Sequence, residues 1–178
     1  CVKSAFPFCS NKIQESAYSL DKKDFNFSVK KINMITYMPR EFPEHSSHLM
    51  FFLRHYLPKN WQIKTLHNLK EKEIYKHLLK SKIFLSFCQL KGLPLPPVEA
   101  AIAGNKVIGY TGEAGKEYWH EPVFTEIPVG NFSKFSFEIL KSIKNKKKNK
   151  KFKSTRKKLI KKFSPELEIF RMKIMLNK

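Results

Sequence analysis

With 178 residues, 42% of them hydrophobic, the chain is long enough for one domain with a genuine core. Its net charge is +20, but thirteen Lys and Arg fall between residues 141 and 162 with no Asp or Glu among them, so the basicity is mostly local. No apolar run is long enough for a membrane-crossing helix or shaped like a signal peptide, and Cys1, Cys9 and Cys88 form neither a CxxC pair nor a disulfide framework. The sparse thiols fit a reducing compartment. His45 and His48 stand three apart with no third ligand in sight, which argues against zinc. The first residue is not Met, so the chain reads as a trimmed or partial one.

Residues 1–30 are irregular and are expected to be an N-terminal segment or linker. From there apolar runs alternate with helical periods. Residues 32–38 read as a strand closed by Pro39, and 48–56 as an amphipathic helix ended by Pro58. Residues 61–66 form a second strand, and 71–80 a short helix with Ile74, Leu78 and Leu79 on one face. The density of apolar residues at 82–87 predicts a buried third strand. A stiff Gly-Leu-Pro-Leu-Pro-Pro loop, 92–97, leads into a small-residue helix at 98–103 that stops at Gly104. Residues 106–110 are a fourth strand, followed by a Gly-containing turn. Helices are expected at 132–143 and 154–162. A last one opens at Ser164-Pro165-Glu166 and runs to about Leu176, with Ser as N-cap, Pro first and acids in the first turn.

Strand and helix alternating at this spacing predict βαβ units: an α/β fold with a Rossmann-like parallel sheet flanked by helices. The expected domain is 31–140, with 141–178 a basic helix and a closing helix. Ligands of such sheets bind beyond the carboxyl ends of the strands. Three loops leave those ends: Met38-Pro39-Arg40-Glu41, residues 89–99, and residues 111–117. They bring a cation, a carboxylate and a flexible glycine turn to one side, parts suited to a phosphorylated, hydroxyl-rich ligand.

The run from Lys91 to Gly104 resembles the glutamate signature of family 4 (group 1) retaining glycosyltransferases of the GT-B fold. Gly92, Leu95, Pro96, Glu99, Ala100, Ala103 and Gly104 carry the likeness. Lys106-Val-Ile-Gly-Tyr-Thr111-Gly112-Glu-Ala-Gly115-Lys116-Glu117 is similar to the strand and Glu-bearing turn that follow in that family, and Tyr37-Met-Pro-Arg40 to the turn that opens its donor domain. The likeness covers roughly residues 32–140 and the last helix.

What the resemblance implies is a C-terminal donor-binding half. It would bind a nucleotide diphosphate-sugar for retaining transfer to an acceptor hydroxyl, in a polysaccharide-type biosynthesis. Glu99 would accept the ribose hydroxyls, Arg40 would hold the diphosphate, and Gly112 and Gly115 would let backbone N–H groups approach it, with Lys116 adding charge. Thr111, Glu117, Gly92, Leu95 and Pro96 would line the donor site. Lys91 stands where the family has its first glutamate, eight residues before Glu99, and reverses the charge beside the donor sugar. The family's cation after the Arg is missing, with His45 and His48 nearest to its place. The resemblance also implies no cofactor and no obligatory metal, and a second, N-terminal domain for the acceptor. The isolated chain is then expected to bind nucleotide weakly and to be inactive.

The run at 141–162 has three readings: a solvated helical face, a contact with anionic lipid, or a contact with nucleic acid. Phe152 is its single aromatic residue, which serves base stacking poorly. A non-catalytic basic module that docks on membrane or nucleic acid through this run is the alternative to the enzyme reading. Peripheral placement at the cytoplasmic face of a membrane would suit either.

Overall fold

The computed structural model describes residues 18–20, 29–88, 94–145 and 150–176. The chain divides into two compact units, one of Lys23–Leu159 and one drawing on both ends, Cys1–Lys22 and Ile160–Lys178. The first unit holds β1 (Met34–Tyr37), α1 (Pro43–Tyr56), β2 (Gln62–Thr65), α2 (Glu71–Lys80), β3 (Ile83–Cys88), α3 (Leu95–Ile102), β4 (Lys106–Thr111), a 3-10 turn (Ala114–Glu117), β5 (Phe124–Glu126) and α4 (Phe132–Lys144). α5 (Lys150–Lys162) leaves it, and α6 (Pro165–Leu176) belongs to the second.

The five strands form one sheet in the order β2-β1-β3-β4-β5, and every pairing is parallel. The expected α/β architecture with a Rossmann-like parallel sheet is therefore what the chain forms. Parallel strands buried on both faces read as continuous apolar runs, and β3, Ile-Phe-Leu-Ser-Phe-Cys, is buried at every position. Alternation along the strands divides the core. Ile35, Ile83, Leu85, Phe87, Ile108 and Tyr110 meet α1 and α4 through Leu49, Leu53, Phe135 and Ile139. Thr36, Phe84, Ser86, Val107 and Gly109 point to the other face, which α2 and α3 cover.

Several boundaries differ from expectation, each for a local reason. α1 starts at Pro43 rather than at residue 48, because proline sits well in a first turn and Glu44 follows it there. α2 matches its expected span, but its inner face is Tyr75, Leu78 and Leu79, with Ile74 only partly buried. α3 starts at Leu95, so Pro96 and Pro97 lie inside its first turn instead of in a loop. First-turn N–H groups have no partner within a helix, so prolines there cost little. α5 begins at Lys150, one turn before the expected 154. β5 was not foreseen: three residues carry no period, and the strand exists because β4 offers an edge, pairing Val107 with Phe124 and Ile108 with Thr125.

In the second unit the expected helix start is observed. Ser164 accepts the Leu167 N–H on its hydroxyl at 3.3 Å, with Pro165 and Glu166 next. The Leu20 N–H donates to the Phe163 carbonyl at 3.1 Å, and the Ser19 hydroxyl donates to the Glu168 carboxylate.

Candidate functional site

The strand order reverses between β1 and β3. From β1 the chain moves outward to β2, then crosses back to β3 and continues to β4 and β5. Loops on either side of such a point diverge and leave a crevice at the carboxyl ends of the strands. The three loops singled out from the sequence follow β1, β3 and β4, so all of them open at this end.

Arg40 lies in the loop between β1 and α1. It is exposed and, among the described residues, makes no ion pair or hydrogen bond. His45, one turn into α1, is turned inward. Its Nδ1 shares a hydrogen bond with the Tyr110 hydroxyl at 3.1 Å, and its ring stacks on Phe42 at 4.6 Å. The same hydroxyl accepts the Gly130 N–H at 3.1 Å. His45 is thus part of an aromatic joint between α1, β4 and α4, while His48 is exposed beside Phe132.

The β3–α3 loop lies largely outside the described residues, Lys91 and Gly92 included. Its far end is well fixed. The Tyr118 hydroxyl donates to the Pro94 carbonyl at 3.0 Å, and burial, with the nearby Cys88 thiol second, pushes the Tyr118 phenol up from its ordinary pKa. The loop after β4 is in this way tied to the start of α3. Leu95 and Pro96 open α3 and are half-buried. A helix N-terminus binds anions through its free N–H groups, but Pro96 and Pro97 have none. The start of α3 therefore offers fewer free N–H groups than an ordinary helix N-terminus.

Glu99 sits one turn into α3, half-buried and facing α2. The Tyr75 hydroxyl lies 3.3 Å from its carboxylate and donates to Glu71 at 2.8 Å. A phenol has one proton, and the shorter contact takes it. Burial raises the pKa of Glu99; the Tyr75 contact opposes that rise and the Glu71 charge adds to it. Burial and the same carboxylates push the Tyr75 phenol up as well. The result is a half-buried carboxyl group beside α2, short of donors and with its pKa raised by burial. That is an arrangement ready to accept hydroxyl hydrogens from a ligand. Tyr75 and Glu71 were missed in the sequence. Their spacing of four places them on one helix face, but the inner face of α2 was expected to include Ile74 and not Tyr75.

Beyond β4, Thr111 is buried at the strand end. Gly112 has φ +63°, a left-handed turn that glycine adopts without penalty. Gly115 is different: its φ is not positive, it is buried, and a Cβ there would meet Thr111, Pro94 and Trp119 at 3.5–3.7 Å. Its lack of a side chain serves close packing against Thr111, Pro94 and Trp119 rather than an unusual φ. Lys116 pairs with Glu113 at 3.3 Å, both exposed, and Glu117 is exposed beside it. Tyr118 is buried, while the Trp119 indole N–H is buried without an acceptor among the described residues.

The basic run is not uniformly solvated. Phe152 and Leu159 of α5 are buried, and Arg156 between them donates from Nε and Nη2 to the Ile102 carbonyl at 2.9 and 2.6 Å. That cation caps the carboxyl end of α3, where the helix dipole favours it. Residues 146–149 lie outside the described residues. No helix among the described residues is long and apolar enough to cross a membrane. No protein-family model and no curated protein sequence matches the chain.

Proposed function

We propose that the chain is the donor-binding half of a retaining glycosyltransferase, and that a nucleoside diphosphate-sugar occupies the crevice at the carboxyl ends of β1, β3 and β4. The observation that supports this reading best is the sheet reversal between β1 and β3. It brings the Arg40 turn and the helix carrying Glu99 to adjacent strands at the end of the sheet where such ligands bind. In this reading Glu99 accepts the ribose hydroxyls, and Arg40 neutralises the diphosphate and the charge that builds on it as the sugar departs. The Gly112 turn supplies backbone N–H groups, and Lys116 adds charge at the rim. Lys91 stands beside the donor sugar. No cofactor and no metal enters the scheme. A second domain bearing the acceptor completes the enzyme, so the chain by itself binds and does not turn over.

The test is a thermal-shift screen of nucleoside diphosphates and their sugars against the chain and its Glu99→Ala variant. A ligand at 100 times its dissociation constant adds about 2.7 kcal/mol of stability. A shift for one base, lost in the variant, supports the reading. The absence of any shift, or a shift indifferent to Glu99, removes it.

A further inference from the structure

α1 and α4 lie side by side on one face of the sheet, and their inner sides are ordinary core. Their outer sides are not. A helix that covers a sheet is expected to turn polar residues outward. Here Phe51, Phe52 and Tyr56 of α1 and Phe137 of α4 are 63%, 51%, 68% and 63% exposed. Phe51 packs edge-on against Phe52 at 5.7 Å and against His55 at 5.7 Å, with Tyr56 one residue further along α1 and Phe137 on the neighbouring helix. A monomer seldom leaves grouped aromatic rings in water without use for them.

The charge around the rings identifies what covers them. Exposed Arg54, Lys59, Lys134, Lys141 and Lys144 stand on the same two helices and the turn after α1. Two carboxylates stand on these helices: Glu44, exposed in the first turn of α1 and two turns from the rings, and Glu138, partly buried and already paired with Lys141 at 3.0 Å. Lys141 also lies over the Phe137 ring at 5.6 Å. A second copy of this face would bring cations against cations in a chain of net charge +20. Single-stranded nucleic acid needs rings set along a groove with polar groups to meet base edges. These rings instead stand on the outer surfaces of two helices, three of the four being phenyl groups with nothing to donate or accept. Apolar rings flanked by Lys and Arg on a surface helix match the boundary between headgroups and acyl chains of an anionic bilayer.

We propose that the outer face of α1 and α4 is a peripheral membrane-binding surface. Phe51, Phe52, Tyr56 and Phe137 enter the interfacial layer, and Arg54, Lys59, Lys134, Lys141 and Lys144 meet anionic headgroups. This assignment moves the lipid contact away from the lysine-rich α5, whose Phe152, Arg156 and Leu159 are turned inward. It does not depend on the nucleotide reading.

The test is co-sedimentation of the full chain with phosphatidylcholine vesicles, with and without roughly 30 mol% phosphatidylglycerol, in about 0.15 M salt. The chain is expected to pellet with the anionic vesicles and not with the neutral ones. The variant Phe51→Ser/Phe52→Ser/Phe137→Ser is expected to weaken partitioning by at least about tenfold. Its rings are exposed, so its thermal melt stays at the parent value. The variant Lys151→Gln/Lys157→Gln/Lys158→Gln on α5 is expected to bind as the parent does. In a separate arm, Phe137→Trp is expected to shift its emission to the blue on anionic vesicles, over the background of Trp61 and Trp119, and to be quenched by brominated lipid. The reverse ranking of the two variants overturns the proposal, as does failure to bind anionic vesicles. It is also overturned if the ring variant changes only self-association in sedimentation equilibrium, or only binding to single-stranded RNA.

Discussion

The two ends of the sheet are built differently. At the amino ends of β3 and β4, every buried polar group has a partner. Asn105 is fully buried and donates to the carbonyls of Leu78 and Ala100, both at 2.9 Å. Its Oδ1 accepts from the Ser81 hydroxyl at 2.8 Å and from Lys31 at 3.3 Å, and Ser81 accepts from Thr36 at 3.1 Å. At the carboxyl ends the polar groups are left short. Arg40 stands in solvent, Glu99 is half-buried with a raised pKa, and the Trp119 N–H meets no acceptor among the described residues. A satisfied network rigidifies a fold, whereas desolvated groups without sufficient partners cost stability that a ligand can return. The amino end maintains the sheet, and the carboxyl end is where a ligand has something to gain.

Substitutions at the two ends should separate stability from binding. The largest effect is expected in the strand that connects them. Gly109 has φ +141°, and a Cβ there would lie 2.0 Å from the Ser86 carbonyl oxygen on β3. Gly109→Ala must push β3 and β4 apart. It is expected to cost more than about 3 kcal/mol in urea unfolding, or to abolish a cooperative transition. Next comes the amino end. Asn105→Ala removes four hydrogen bonds from the core, those to Leu78, Ala100, Ser81 and Lys31, and should cost about 2 kcal/mol by the same measurement, since each of those groups keeps another partner.

At the carboxyl end the ranking inverts. Arg40→Ala should leave the urea midpoint unchanged and weaken nucleoside diphosphate binding roughly ten- to hundredfold in titration calorimetry, the range of a lost charge-assisted hydrogen bond. Glu99→Gln should remove nucleotide binding and raise the melting temperature at neutral pH. The sign follows from the raised pKa. The folded chain holds the Glu99 proton more tightly than the unfolded chain, so stability falls as pH rises from the ordinary carboxyl value through the raised one. Binding needs the carboxylate, so affinity is lost as pH falls through that raised value. Glu71→Gln removes a charge that raises it and leaves the Tyr75 proton to Glu99, and should move the loss of affinity to lower pH. An affinity that ignores pH across the acid range would separate Glu99 from the ligand. The smallest effect belongs to a surface pair at the amino end. Lys106 meets Glu121 at 2.9 Å, with Glu121 well exposed, so Glu121→Gln should cost under about 1 kcal/mol.

Much of this fold was legible in the residues. β3 announced itself by an unbroken apolar run, α2 by its period, and the start of α6 by Ser164-Pro165-Glu166. The errors share a cause. Prolines 96 and 97 signal a break to any local reading, yet a helix's first turn does not need their N–H groups. β5 has no signal of its own beyond the edge that β4 presents. Arg40, Glu99 and the residues at 111–117 could be named as site candidates because loops after parallel strands must open at one end. The partners of those residues could not.

Periodicity and turn chemistry are properties of neighbours in the chain, and by themselves they determined that this protein is an α/β sheet whose strands end in loops on one side. The strand order, the reversal between β1 and β3, and the meeting of Tyr75 with Glu99 were decided only in tertiary structure. So were the inward turn of Arg156 and the outward rings on α1 and α4. Each depends on which surfaces of distant segments pack together, and a side chain's exposure, partners and pKa follow from that packing.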